Sequence, residues 1–188
     1  AELAIEIDFE ADPGPTPQGE LERESFGAIA LWVNGRNLTE HRDAQQGAPH
    51  VRWHLIGFLR WLHDHLEPLL NEEPLPRAIH EVSSGSAWFE ASARPPLLLT
   101  ASEEDAWFDD RQDWWVRHGI RAGAAGGLLP HLFVRRLDND LEFSWDNERF
   151  PPPHRGVRFV EAVGVARVSA ERAFAVFQAV LHGCTAAL

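Results

Sequence analysis

The sequence predicts an α+β fold. A single domain over residues 1–188 carries a mainly antiparallel sheet, a long amphipathic helix, a central helix pair and a C-terminal helix. Three observations lead there. Several short stretches alternate apolar and polar residues with period two, others repeat apolar residues every three or four positions, and the two kinds do not follow one another in the βαβ rhythm of a parallel sheet.

Residues 2–9 (ELAIEIDF) place Leu3, Ile5, Ile7 and Phe9 on one side and acids on the other, the pattern of a half-buried strand. Residues 10–24, rich in Pro, Gly and acids, read as an exposed loop. Phe26 to Val33 reads as a second strand closed by the turn pair Asn34-Gly35. From Pro49 to Asn71 a long helix is expected, with Val51, Leu55, Phe58, Leu62, Leu66 and Leu69 as its core stripe and Pro74 and Pro76 beyond its end. Two short strand-like runs follow, RAIHEVS (77–83) and SAWFEAS (86–92). Thr100 or Ser102, with acids in the next turn, caps a further helix that continues or restarts through Trp114 and Trp115 and stops at Gly123 to Gly127. Residues 131–146 read as a β-hairpin with a three-residue loop, Asp138–Asp140, facing Leu137 with Leu141, Arg136 with Glu142 and Phe133 with Trp145. VRFVEAVGVARV (157–168) reads as a strand kinked near Gly164, and Ser169 as the cap of a last helix with Ala173, Val176, Phe177 and Val180 on its apolar face.

Composition removes several chemistries. All 17 cations are arginine, and lysine, tyrosine and methionine are absent, so there is no Schiff-base lysine, P-loop lysine or tyrosine nucleophile. The lone Cys184 leaves no internal disulfide and no cysteine metal cluster. No apolar run approaches the ~20 residues of a membrane helix and no signal peptide is visible, so a soluble cytoplasmic protein is expected. Of the net charge of −12, residues 1–24 hold −7. The absence of a basic stripe disfavours nucleic acid as a partner, and an acidic field favours a basic protein.

No complete catalytic set is present. His50 and His54 stand at the i, i+4 spacing of zinc metallopeptidases, but Val51 occupies the place of the general-base Glu and a third ligand is missing. On the expected helix, His50, His54, Gly57, Trp61 and His65 form a second stripe beside the core stripe. The acids Glu103, Glu104, Asp105, Asp109, Asp110 and Asp113 complement a helix dipole more simply than they bind metal. The most distinctive stretch is Trp114, Trp115, Arg117, His118 and Arg121. Adjacent tryptophans point about 100° apart on a helix, so both are not expected to be fully buried. The arginines and histidine can clamp a partner's carboxylate, or pair internally with Asp110, Asp113 or Glu142.

Two segments resemble a region that precedes the ImmA/IrrE-type zinc metallopeptidase domain in some bacterial regulatory and phage-conflict proteins. The first, residues 55–76, matches at Trp61, Leu69, Leu70, Glu73 and Pro74. The second, residues 106–146, matches at His118, Arg121, Ala122, Gly127, Pro130, Arg136, Glu142, Ser144 and Trp145; FVEAVGVARV (159–168) also fits, so the likeness spans about residues 50–170. The peptidase HExxH motif is absent from this chain. The resemblance implies no catalytic residues for this region and points to a sensor, docking or regulatory role; neither a metal nor a cofactor is expected.

The expected function is therefore a non-catalytic interaction or sensor domain of a bacterial defence or stress-response system. It would meet a protein partner, encoded by a neighbouring gene, through Trp114, Trp115, Arg117, His118, Arg121, Arg136 and Trp145. Two other readings stand beside it: an acidic antidote that inhibits a basic toxin, and a metal-dependent hydrolase using His50, His54 and the acids of 103–113.

Overall fold

The computed structural model describes residues 2–13, 24–43, 47–72, 75, 82–124, 127–152 and 156–185. Strand β1 (Leu3–Phe9) pairs antiparallel with β2 (Phe26–Val33), with Leu3 opposite Val33 and Phe9 opposite Gly27. The turn after β2 places Asn34 at φ 51° and Gly35 at φ 76°, the two left-handed positions of a tight hairpin, and returns as β3 (Arg36–Asn37). Short strands β4 (His41–Arg42) and β5 (Gly47–Ala48) lead to β6 (Val51–His54), which pairs with the other side of β2. Helix α1 (Ile56–Asn71) follows, then α2 (Gly85–Ala91), α3 (Ala101–His118) and a 3₁₀ turn over Ile120–Ala124. A hairpin of β7 (Leu132–Leu137) and β8 (Asp140–Asp146) comes next, then β9 (Arg158–Phe159), β10 (Val163–Ser169) and α4 (Ala170–Thr185). The fold is α+β with antiparallel pairing throughout the described strands, as expected.

Four expectations need correction. The helix expected from Pro49 begins at Ile56, because residues 51–54 complete the sheet beside β2; the need of β2 for a second neighbour outweighs the local 3–4 spacing. SAWFEAS is helical: Ser84 caps α2 by accepting a hydrogen bond from the Ala87 N–H at 3.2 Å. The hairpin loop has two residues, Asp138 (φ 53°) and Asn139, so Arg135 opposes Glu142 and Arg136 opposes Leu141. The strand over 157–168 is broken into β9 and β10. Residues 14–23 of the acidic loop and 77–81 of RAIHEVS lie outside the described residues.

The other elements match closely. Thr100 and Glu103 form a capping box at the start of α3, and Ser169 Oγ accepts from the Arg172 N–H at the start of α4. α3 is continuous through both tryptophans and ends at His118, before the expected glycines. Phe58, Leu62 and Leu69 of α1, with Ala173 and Phe177 of α4, are buried against sheet β1–β2 and one face of the β7–β8 hairpin. That face carries Leu132, Val134, Leu141, Phe143 and Trp145. The opposite face carries Phe133, which joins Trp88, Phe89 and Trp114 in a second, smaller apolar cluster under α2 and α3. The hairpin is thus covered on both faces.

Candidate interaction surface

On the second face of the hairpin, Glu142 is fully buried and takes a bidentate pair of hydrogen bonds from Arg135, at 2.7 and 3.0 Å. Its Oε1 also accepts from the Gly85 N–H at 2.9 Å, while Ser144 Oγ accepts from the Ser86 N–H at 3.0 Å. Two side chains of β8 thereby satisfy the first donors of α2, which fixes that helix on the sheet.

The last turn of α3 is organised in the same inward way. Trp114 is wholly buried, stacked on His118 (4.9 Å between centroids, 20° between planes) and on Phe133 (5.2 Å, 22°). His118 shares a 2.8 Å hydrogen bond between Nδ1 and the Val134 carbonyl, and its Nε2 lies 3.3 Å from a Glu72 oxygen. Burial holds His118 below the ordinary histidine pKa, against the opposing pull of Val134 and Glu72. Arg117 donates twice to Glu72, each bond 2.7 Å. Burial draws the Glu72 carboxyl upward, but Arg117 and His118 together keep it below the usual carboxylate value. Arg117 is correspondingly raised, chiefly by the Glu72 bond, with smaller help from Asp113 and Asp110. The internal pairing of Arg117 is thus present, with Glu72 at the end of α1 as its main partner.

The remaining residues singled out in the sequence also serve as ties or core. Trp145 is fully buried beneath β10. A Cβ on Gly164 would stand 2.3 Å from the Trp145 ring, so only glycine lets β10 pass over it. Arg121 donates to the carbonyls of Phe150 and Pro151 at 3.3 and 3.2 Å, and Arg136 to Leu70 at the end of α1 (3.1 Å) and to Asp138. Trp115 is half-buried against the second apolar cluster. Trp114, His118 and Trp145 therefore lie beyond a partner's reach. The adjacent tryptophans diverge as expected, but Trp114 points wholly inward because α2 and the hairpin close over it. Beside them His131 is stacked on Phe150 (4.2 Å), and burial, with Arg121 and Arg111 nearby, lowers its pKa to about 3.

The histidine spacing loses its metal reading. His54 ends an extended strand and His50 immediately precedes it, so the four-residue step separates their Cα atoms by about 13 Å instead of one helical turn. Among the described residues, no group of three or more His, Cys, Asp or Glu side chains is placed to hold a metal ion.

The surface that is displayed lies elsewhere. Leu97 and Leu98, between Pro95-Pro96 and the α3 cap, are 92% and 100% exposed, and Phe108 on α3 is 40% exposed. Leu98 also sits at φ 76°, a left-handed conformation that costs a leucine about 1–2 kcal/mol. Burial does not compensate it. On α3 the carboxylates of Glu104, Asp105 and Asp109 are exposed in the same stretch of chain. The run PPLLLT, apolar yet without helix or strand periodicity, was the available sequence signal. No helix among the described residues is long and apolar enough to cross a membrane. No known protein family, curated protein or solved structure matches the chain.

Proposed function

We propose that this chain is a non-catalytic protein-interaction domain of a bacterial defence or stress-response system, as its likeness to peptidase-associated regulatory regions implies. One observation carries the reading: an exposed Leu97-Leu98 pair whose second member is strained, placed just before the capped start of α3. Strained residues concentrate at functional sites, and paired exposed leucines gain stability only when something covers them. The exposed acids of α3 that follow them in the chain suit a partner whose apolar pocket has a basic rim. The same acids favour a second reading, an antidote that covers a basic toxin.

The test is co-purification with the products of the flanking genes, comparing the natural chain with a Leu97→Ser, Leu98→Gly variant. Removing two central apolar anchors weakens a complex by about 10- to 100-fold, while the melting temperature stays level or rises. A complex of unchanged affinity contradicts the reading. A toxin partner would also bind far more weakly as salt is raised, and its co-expression would restore growth.

A further inference from the structure

We infer that the edge of β1 and the cleft beside it form a second interaction site, for an extended peptide that alternates apolar and basic residues and adds as a strand to the sheet. Among the described strands, β1 is the outermost of its sheet. Its pairing with β2 uses the even-numbered residues: the Asn34 N–H donates to Glu2, and the Glu10 N–H donates to Phe26. The N–H and C=O groups of Leu3, Ile5, Ile7 and Phe9 therefore point outward. Among the described residues no hydrogen bond reaches them.

Under that edge lies an apolar cleft of about 580 Å³ between the side chains of Leu3, Ile5, Ile7 and Phe9 and the α4 residues Val176 and Val180. Its far wall is kept low by small residues, and a Cβ on Gly183 would meet nothing within 4 Å. A strand laid along β1 would satisfy the open backbone groups and drop every second side chain into this cleft, the geometry of strand addition. Its other side chains would stand beside Glu6 and Asp8, which are exposed on the outer face of β1. Like charges directly opposite are destabilising and opposite charges stabilising, so those positions select Lys or Arg.

The same row argues against a second copy of the chain. Any antiparallel β1–β1 register brings acids from Glu2, Glu6, Asp8 and Glu10 opposite one another or opposite Ala4, with no cation in the row. An anionic lipid surface meets the same repulsion.

The test uses the full chain and three heptapeptides: alternating Val-Lys, alternating Val-Glu, and a Val-Lys composition in scrambled order. The alternating Val-Lys peptide is expected to bind at least tenfold more tightly than either control and to shift the amide resonances of Leu3, Ile5, Ile7 and Phe9. Gly183→Leu, which fills the cleft at an exposed helix position, should weaken binding at least tenfold without lowering the melting temperature. Glu6→Lys with Asp8→Lys should transfer the preference to the Val-Glu peptide. Equal binding of the three peptides, no binding at millimolar peptide, resonance shifts confined to other strands, or dimerisation of the chain through β1 would each overturn the proposal. The Leu97→Ser, Leu98→Gly variant should bind the peptide normally, so this site and the leucine loop succeed or fail separately.

Discussion

Replacing Glu142 by alanine removes the buried carboxylate that ties the β7–β8 hairpin to α2. The substitution deletes both hydrogen bonds from Arg135, at 2.7 and 3.0 Å, and the 2.9 Å bond from the Gly85 N–H. Arg135 is itself buried, so its charge is left in the interior with, among the described residues, the Ser83 carbonyl at 3.4 Å still bonded. Breaking a buried pair from one side costs about 3–5 kcal/mol, because the surviving charge is uncompensated. For a chain of this size each kcal/mol lowers the melting temperature by roughly 2–4 °C, so a fall of about 6–20 °C is expected. Glu142→Gln keeps an acceptor for Gly85 and should lose less, by the ~1–3 kcal/mol of a buried orphan donor. Arg135→Met combined with Glu142→Leu should recover much of the loss, since an apolar pair of similar volume is often neutral in such a place. Urea and thermal unfolding followed by circular dichroism give all three values. A loss under about 1 kcal/mol for Glu142→Ala, or a double variant no better than the single, would refute the reasoning.

Two further perturbations have definite signs. His131 has a folded-state pKa near 3 against 6.5 unfolded, so its contribution is complete above pH 6.5 and is lost as pH falls toward 3. At pH 5 about 2 kcal/mol should be gone, and His131→Phe, which keeps the stack on Phe150, should flatten the stability profile between pH 7.5 and 5 in urea titrations by about that amount. An unchanged slope would show that His131 is not held neutral. Gly164→Ala forces a methyl group against the buried Trp145 ring and should cost at least about 1–3 kcal/mol with a shift in tryptophan fluorescence; an unaltered melt would mean that β10 does not cross the indole so closely.

Much of the fold was legible in local chemistry. The alternation of β1, the Asn34-Gly35 turn, the Thr100–Glu103 capping box and the Ser169 cap all rest on interactions within a few residues, and each is present. The failures came where distant partners decide. Residues 51–54 carry helical spacing, yet β2 recruits them as a strand. SAWFEAS reads as strand-like, yet Glu142 and Ser144, more than fifty residues away, receive the N–H groups of Gly85 and Ser86 that open it as a helix. In the hairpin, Arg135 and Arg136 both offer a plausible mate for Glu142, and only burial on two faces selects Arg135.

The site was legible to a smaller degree, for a related reason. Tryptophan, arginine and histidine in one short stretch describe a recognition surface and a tightly tied interior equally well. The tie to Glu72 lies 45 residues from Arg117 and could not be singled out by spacing. The leucine pair carried no such chemical signature. Its exposure and strain emerge only once the structure shows both side chains in solvent and Leu98 in a left-handed conformation.

We propose that the exposed Leu97-Leu98 loop, and not the Trp114–Trp145 interior, meets the partner. Paired measurements of melting temperature and of affinity for the flanking-gene product, on Leu97→Ser, Leu98→Gly and on Trp114→Ala, test it most directly. Trp114→Ala should cost about 3–5 kcal/mol of stability, as for other buried aromatics. The loop variant should keep its melting temperature and lose about 10- to 100-fold in affinity. A loop variant that binds normally, or that unfolds as readily as Trp114→Ala, would contradict the account.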